Sequence, residues 1–326
     1  MLIDRWHRQL NYLRISITDR CNLRCIYCQT GPVLHKLKHD EILRYEEILR
    51  IINAGIALGI KKVRITGGEP LVRKGVFSFL KTVSNLPGLE DISITTNGIL
   101  LDRHINDLIA ANIQRINVSL DTLNADKYAL ISGANKWHQV WNGILNAHNA
   151  GIYPIKLNIV AMKGINDDEC LAFANLTYQF PFWIRFIELM PVGHSDIFEK
   201  RWVSSDTIKQ AIESHFGPLK PVKKNKHDGP ADRFKLADSK GEIGFIHAIS
   251  HHFCETCNRL RLTANGNLRA CLLSDSHIDL RTLLRSGCSD EDLKQQFMAA
   301  VLLKPVSHSN NISHPHCLDQ MVRIGG

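Results

Sequence analysis

Between residues 12 and 190 a short β-rich segment alternates six times with a helix-like one, and few folds accept that rhythm. Tyr12 to Thr18, Lys62 to Thr66, Asp91 to Thr95, Gln114 to Leu120, Tyr153 to Met162 and Trp183 to Met190 read as strands. Tyr45 to Leu58 carries Ile48, Leu49, Ile52 and Ile56 at helical spacing. Further helices are expected through Phe77 and Leu80, over Asp102 to Ala111, in two stretches from about Ala125 to Ala150, and over Asp167 to Phe180. Such alternation calls for a parallel sheet with right-handed crossovers. Six units fall short of the eight that close an ordinary barrel. The expected fold is therefore α/β, a partial (β/α)6 barrel.

Strand side chains alternate between two faces, and here one face is polar throughout. It carries Arg14, Ser16 and Thr18, then Lys62, Arg64 and Thr66, then Ser93, Thr95 and Asn97. Asn117 and Ser119 follow, and after them Lys156 and Asn158. The opposite face is Ile, Leu and Val. A filled barrel packs its interior with aliphatic side chains, so five successive polar faces imply a wet, charged cavity. Arg14, Arg64 and Lys156 suit it to a large anion. Loops after such strands form the active face of barrels of this kind. Gly67-Gly68-Glu69-Pro70 and Thr96-Asn97-Gly98 lie there, with Ser119-Leu120-Asp121 and Met190-Pro191. Glycines at a strand end also let backbone approach a ligand closely.

The first of these loops holds Cys21, Cys25 and Cys28, spaced so that one tight turn aims three thiolates at one centre. Iron–sulfur sites usually supply four cysteines, and closed zinc sites also take four ligands. A trio without a fourth ligand nearby points to a cubane cluster with one iron left open; a zinc knuckle completed by His35 is the alternative. From about Pro191 the rhythm changes. His194 to Gly217 reads as a polar connector with a helix near Ser205 to His215. Lys223 to Gly229 reads as a basic loop, and Arg233 to Ile249 as two strands. A second trio follows, Cys254, Cys257 and Cys271, with Arg259 and Arg261 on one side of an extended segment. Arginine forks suit phosphate or bidentate polar recognition. A second open cluster and a zinc site completed by His251, His252 or His277 both fit this spacing. Helices are expected over Leu280 to Arg285 and Asp290 to Leu303. Cys170, Cys288 and Cys317 have no paired spacing and read as core or surface thiols.

At 326 residues the chain has room for about two domains, and the change of rhythm divides it into 1–195 and 196–326. Clustered cysteines without a secretory signal favour metal ligation over disulfides and a cytoplasmic location. No apolar run approaches the roughly 20 residues of a membrane span, so no membrane partner is expected. A formal charge of +8 suits a polyanion. Without a basic tail, and with aromatic residues at 7%, nucleic acid is not the expected partner.

The first trio, GGEP and the (β/α)6 pattern together resemble the radical S-adenosylmethionine superfamily. The second trio within Cys257-Asn258-Arg259-Leu260-Arg261-Leu262-Thr263, the stretch Phe186 to Gly193 and the terminal Gly325-Gly326 resemble one of its families. That family is the MoaA family of GTP 3′,8-cyclases in molybdenum-cofactor biosynthesis, and the likeness runs from Tyr12 to Gly326. Its barrel is TIM-like, with a C-terminal α+β cluster-binding region. The resemblance implies that Cys21, Cys25 and Cys28 hold a 4Fe–4S cluster whose open iron binds S-adenosylmethionine. It implies cofactor contacts at Tyr27, Gly68, Ser119 and Met190, and GTP contacts at Arg14, Arg64, Thr95 and Lys156. Cys254, Cys257 and Cys271 would hold a second 4Fe–4S cluster that receives the guanine beside Arg259, Leu260 and Arg261. Arg14, Arg259, Arg261, Gly325 and Gly326 would be required for catalysis, the two glycines as a tail reaching into the site. Two departures, Gln29-Thr30 after the third cysteine and His252 before Phe253, change no ligand.

The implied reaction begins with reductive cleavage of S-adenosylmethionine to methionine and a 5′-deoxyadenosyl radical. That radical takes the 3′ hydrogen of GTP, and the resulting carbon radical closes onto C8 to give 3′,8-cyclo-7,8-dihydro-GTP. Implied partners are a flavodoxin- or ferredoxin-type reductant and the cyclic pyranopterin monophosphate synthase that uses the product; a homodimer is compatible with the family. Two other readings of the cysteines stand beside this one: a radical enzyme that matures peptides, and a zinc-dependent nucleic-acid-binding protein. Three cations facing the cavity favour a polyphosphate over a peptide.

Overall fold

The computed structural model describes residues 1–30, 35–193, 197–223, 229–308, 317 and 319–325. Gly326, residues 194–196 of the connector and residues 224–228 of the basic stretch lie outside the described residues. Twelve strands form one sheet. They are β1 (Tyr12–Ser16), β2 (Lys62–Thr66), β3 (Asp91–Thr96), β4 (Ile116–Ser119), β5 (Ile155–Ala161) and β6 (Trp183–Glu188), then β7 (Lys220–Pro221), β8 (Asp232–Lys235), β9 (Glu242–Ile246), β10 (Arg259–Leu262), β11 (Asn267–Arg269) and β12 (His277–Asp279). β1 to β6 pair in parallel in chain order, as the alternation predicts.

The aliphatic face of these strands is the core. Ile15, Val63, Ile65, Ile94, Ile116, Val118 and Leu157 are fully buried, packed under helices that include Tyr45–Ala57 and Trp137–Asn149. β-Branched side chains suit that pleated, covered surface. Burying the face makes register strict, since a slip of one residue would turn every arginine into the core. The polar face is therefore aligned across the sheet. Arg14 lies beside Arg64 on one side and Arg261 on the other. Thr95, Asn117, Lys156 and Trp183 form one row, and Asn158, Arg185 and Gly244 the next.

The C-terminal region adds to both edges of this sheet. β9 pairs in parallel with β6, and β10 in parallel with β1. β7 and β8 extend one edge in antiparallel fashion, β11 and β12 the other. Several expected elements are shorter than their hydrophobic pattern. The first strand stops at Ser16, because Thr18 O already accepts from Gly68 N at 2.6 Å as the chain turns into the cysteine loop. The helices expected from Asp102 and Asp167 begin as single 3₁₀ turns before Ile105–Ala110 and Cys170–Gln179.

Candidate active site

The cysteine loop is held by backbone bonds on two sides. Arg24 N and Ile26 N donate to Ser132 O (2.9 Å) and Ile131 O (3.0 Å) at the end of helix Ala125–Ser132. On the other side Gly68 N and Glu69 N donate to Thr18 O and Arg20 O, at 2.6 and 2.8 Å. A Cβ on Gly68 would sit 2.4 Å from Arg20 O and 2.6 Å from Arg20 C. The close approach that GGEP permits is thus an approach to the chain's own cysteine loop. Gly68→Ala is expected to cost about 1–3 kcal/mol, the range for overpacking, and to lower the iron retained by the first trio. Thermal unfolding and iron content check this; parental values for both would remove the packing role.

Glu69 closes the arrangement from inside. Its buried carboxylate accepts from Leu71 N (3.0 Å), Thr96 Oγ1 (2.8 Å) and Asn97 N (2.7 Å). Asn97 in turn donates to Asn22 Oδ1 at 2.8 Å and lies 3.7 Å from Cys21 Sγ. Burial lifts the Glu69 carboxyl to about 7 against those donors. On the next loop Asp121 accepts from the Tyr27 hydroxyl at 2.7 Å and from Val160 N at 2.8 Å. Tyr27, Gly68, Ser119 and Met190 all lie at the C-terminal ends of their strands or in the loops after them.

Burial keeps the three thiols of the first trio from ionising unaided. Burial raises all three, Cys28 to about 12, and the neighbouring thiols push Cys25 and Cys28 further up. Such a set fits a multiply charged cationic centre that compensates three thiolates at once. Among the described residues no three His, Cys, Asp or Glu side chains converge closely enough for a single metal ion. Tetrahedral zinc would draw thiolates to about 4 Å of one another, whereas a cluster lets each cysteine bind a different iron. The donors fit the cluster.

Below this rim opens a cleft of about 1090 Å³, measured out to its mouth. Arg14, Arg64, Arg259 and Arg261 line it with Tyr12, Asn158, Met190 and all three cysteines of the second trio. Arg185 also lines it, a residue that the sequence reading passed over because Trp183 and Ile187 flank it on the same face and mask the alternation. Its guanidinium donates to Asn117 Oδ1. Lys156 sits in an adjoining recess with Trp183, Arg185 and Arg233, its ammonium 3.8 Å from the Trp183 ring centre. Burial pulls Lys156 down to about 5, helped by Arg185, Arg115 and Arg64. Arg14 is driven well below its ordinary value by burial and then by Arg261. Burial opposes ionisation of Tyr12, yet Arg64, Arg14 and Lys62 bring its phenol down to about 8. Among the described residues Arg14 Nε, Tyr12 OH, Thr95 Oγ1 and Asn158 Oδ1 are buried without hydrogen-bond partners. Crowded cations and the unmet donors Arg14 Nε, Tyr12 OH and Thr95 Oγ1 on one face are what a polyanion would satisfy, whereas Asn158 Oδ1 calls for a donor.

The second trio differs in its charge. Burial would raise the Cys257 thiol, but Arg259 and Lys304 bring it down to about 6. Leu260 turns away from the cleft into the core and is fully buried, so its contact with a ligand would be through backbone. The C-terminal tail reaches the ends of β1 and β2 and packs beside Cys271 of the second trio. Gly325 O accepts from Arg261 Nη1 at 2.9 Å, and Ile324 packs with Met190 and Cys271 around Val192, Leu273 and Cys317. At φ +87° Gly325 lies where a Cβ would meet Ser16 Cβ at 2.9 Å and Thr66 Cγ2 at 3.0 Å.

Residues 15–177 match the family description Radical SAM superfamily, and residues 182–310 match Molybdenum Cofactor Synthesis C. A GTP 3′,8-cyclase of Thermodesulfovibrio yellowstonii is 48% identical over 324 residues, covering 99% of each chain. One from Pelotomaculum thermopropionicum is 46% identical over 330 residues, again covering 99% of each. Among solved structures, Streptococcus suis SuiB bound to S-adenosylmethionine superposes with a TM-score of 0.64 at 13% identity. The superposition covers 84% of this chain and 64% of that one, and at that identity it speaks for the fold alone.

Proposed function

The chain belongs to the GTP 3′,8-cyclase family of the radical S-adenosylmethionine superfamily, and from that membership we propose how its own residues carry the reaction. It is a lyase that converts GTP to 3′,8-cyclo-7,8-dihydro-GTP at the start of molybdenum-cofactor biosynthesis, using S-adenosylmethionine and an iron–sulfur cluster. When bound, these two cofactors supply the one-electron chemistry that generates a hydrogen-abstracting carbon radical.

Cys21, Cys25 and Cys28 hold that cluster, and Tyr27, Gly68, Ser119 and Met190 frame the S-adenosylmethionine beside it. Asp121 fixes the Tyr27 hydroxyl and so the lie of its ring. The cations of the inner face receive GTP. Arg14, Arg64, Lys156 and Arg185 neutralise the triphosphate, and the hydroxyl of Thr95 donates to it. Cys254, Cys257 and Cys271 hold a second 4Fe–4S cluster, against which the guanine is seated beside Arg259, Leu260 and Arg261. With both ends of GTP fixed, the ribose is left facing the first trio, and C3′ and C8 are kept within reach of one another. Gly325 completes the wall through Arg261 and keeps water from the reacting carbons, and Gly326 is required with it for activity.

The observation that carries this reading is the single aligned face on which Arg14, Arg64 and Arg261 lie side by side, with no carboxylate among the described residues lining the cleft. We further propose that the barrel of residues 1–195 and the region 196–326 are its two functional units. A flavodoxin- or ferredoxin-type reductant, a cytoplasmic setting, a homodimer and cyclic pyranopterin monophosphate synthase as consumer of the product belong to the same reading. No helix of the described residues is long and apolar enough to cross a membrane.

Anaerobically reconstituted and reduced protein, incubated with S-adenosylmethionine, is expected to release 5′-deoxyadenosine only when GTP is present. Release indifferent to GTP would keep the superfamily chemistry and reject the substrate. Loss of GTP-stimulated 5′-deoxyadenosine release on changing Arg14, recovered at higher GTP concentration, would place that arginine on the nucleotide.

A further inference from the structure

Beyond helix Asp290–Leu302 the chain makes a turn that none of the roles above employs, and Lys304 points from it into the protein. Its side chain is 4% exposed. An ammonium has three hydrogens to donate, and each finds an acceptor here. Lys304 Nζ lies 2.9 Å from Arg259 O, 2.8 Å from Ala270 O and 3.4 Å from Cys257 Sγ. Arg259 opens β10 two residues after Cys257, and Ala270 directly precedes Cys271. One buried ammonium thus ties together the two segments that carry these cysteines.

The rest of the turn touches the third. Arg8, held by Asp4 at 2.6 Å, donates to Cys254 O (2.6 Å), Pro305 O (2.6 Å) and Val306 O (3.0 Å). His308 Nδ1 stands 3.1 Å from Cys254 Sγ. Burying a lysine is costly unless its charge is compensated. Among the described residues no carboxylate forms an ion pair with Lys304, and the side-chain acceptor within its reach is the Cys257 sulfur.

We infer that Lys304 is the positioning and tuning residue of the second cluster. The inference rests on the reading of Cys254, Cys257 and Cys271 as cluster ligands. An N–H donor to a ligand sulfur draws off negative charge, and reduction of a cluster adds negative charge. Hydrogen bonds to sulfur and local net charge are the levers by which a protein sets such potentials. Lys304 therefore raises the reduction potential of the second cluster, and holds its ligand segments at the spacing that guanine binding needs.

The test uses the full chain carrying Cys21→Ser, Cys25→Ser and Cys28→Ser, in which the second trio is the remaining cluster site. Iron and acid-labile sulfide are counted, and the midpoint potential is followed by electron paramagnetic resonance. Lys304→Met is expected to lower the midpoint by a factor of about ten in the reduction equilibrium, about 59 mV for one electron, or to strip iron from this trio. Lys304→Arg, which keeps charge and donors, restores most of either loss. Where the methionine variant does not fold, Lys304→Gln takes its place. An intact cluster with unchanged midpoint in Lys304→Met or Lys304→Gln would overturn the inference. If the parent with native Lys304 binds no iron at this trio, the second-cluster reading itself fails and takes the inference with it.

Discussion

Replacing Gly325 by valine is expected to lower kcat/KM for GTP cyclisation by about 100- to 1000-fold while the barrel stays folded. Gly325 sits at φ +87°, and a Cβ there would press on Ser16 Cβ at 2.9 Å and Thr66 Cγ2 at 3.0 Å. A left-handed backbone costs an L residue about 1–2 kcal/mol. Both clashing atoms belong to the inner ends of β1 and β2, whose register is fixed by the sheet and cannot give way. The tail must therefore leave, and with it the hydrogen bond from Arg261 to Gly325 O. Forcing a Cβ into these strand ends adds an overpacking cost of about 1–3 kcal/mol. Together these terms amount to about 3–4 kcal/mol, or two to three powers of ten in the population with the tail in place. Because the tail's other contacts, through Val322 and Ile324, lie outside the main core cluster, the melting temperature of the apoprotein should change little. Trypsin cleavage after Arg323, slow in the parent, should become fast. A variant within threefold of parental kcat/KM would show that the tail only caps the barrel.

That tail also marks where the sequence stopped being legible. Polar alternation along β1 to β5 revealed the charged face residue by residue, because a side-chain period of two survives in the letters. β6 hid its arginine, since Trp183 and Ile187 stand on the same face as Arg185 and break the polar alternation. β10 was legible as an extended pair of arginines, but its partner was not. Pairing with β1, nearly 250 residues away, is decided by packing of the whole sheet, and no local pattern encodes it. The same holds for Lys304. As a lone lysine after a helix it reads as a solvated surface charge, and only the return of β10 and Ala270 around it makes it an internal cation. Gly67 and Gly68 were legible as a place of close approach, while what approaches them was not.

Nucleotide binding should take up a proton, and affinity should fall about tenfold per pH unit between pH 6 and 8. Lys156 is the cause. In the free protein burial and the neighbouring arginines hold its ammonium down to about 5, so it is neutral across that range. A triphosphate brought beside it favours the charged form and returns the group toward its ordinary value near 10.4. Between the free and bound values each unit rise in pH removes a factor of ten in proton activity, and binding weakens in step. For the free protein the sign is opposite. The unfolded chain keeps its proton up to the ordinary lysine value and the folded chain does not, so this group's contribution to stability rises with pH over that interval. The empty site is therefore most strained below neutrality, where nucleotide relieves it most. Calorimetry at pH 7 in buffers of different ionisation enthalpy should report about one proton more taken up by the parent than by Lys156→Met. Lys156→Arg keeps its charge throughout and should bind with a much flatter pH dependence. Subtracting the methionine variant removes the nucleotide's own titration from the comparison. Equal proton uptake in parent and Lys156→Met would move the phosphate contact away from β5 and onto Arg64 and Arg185.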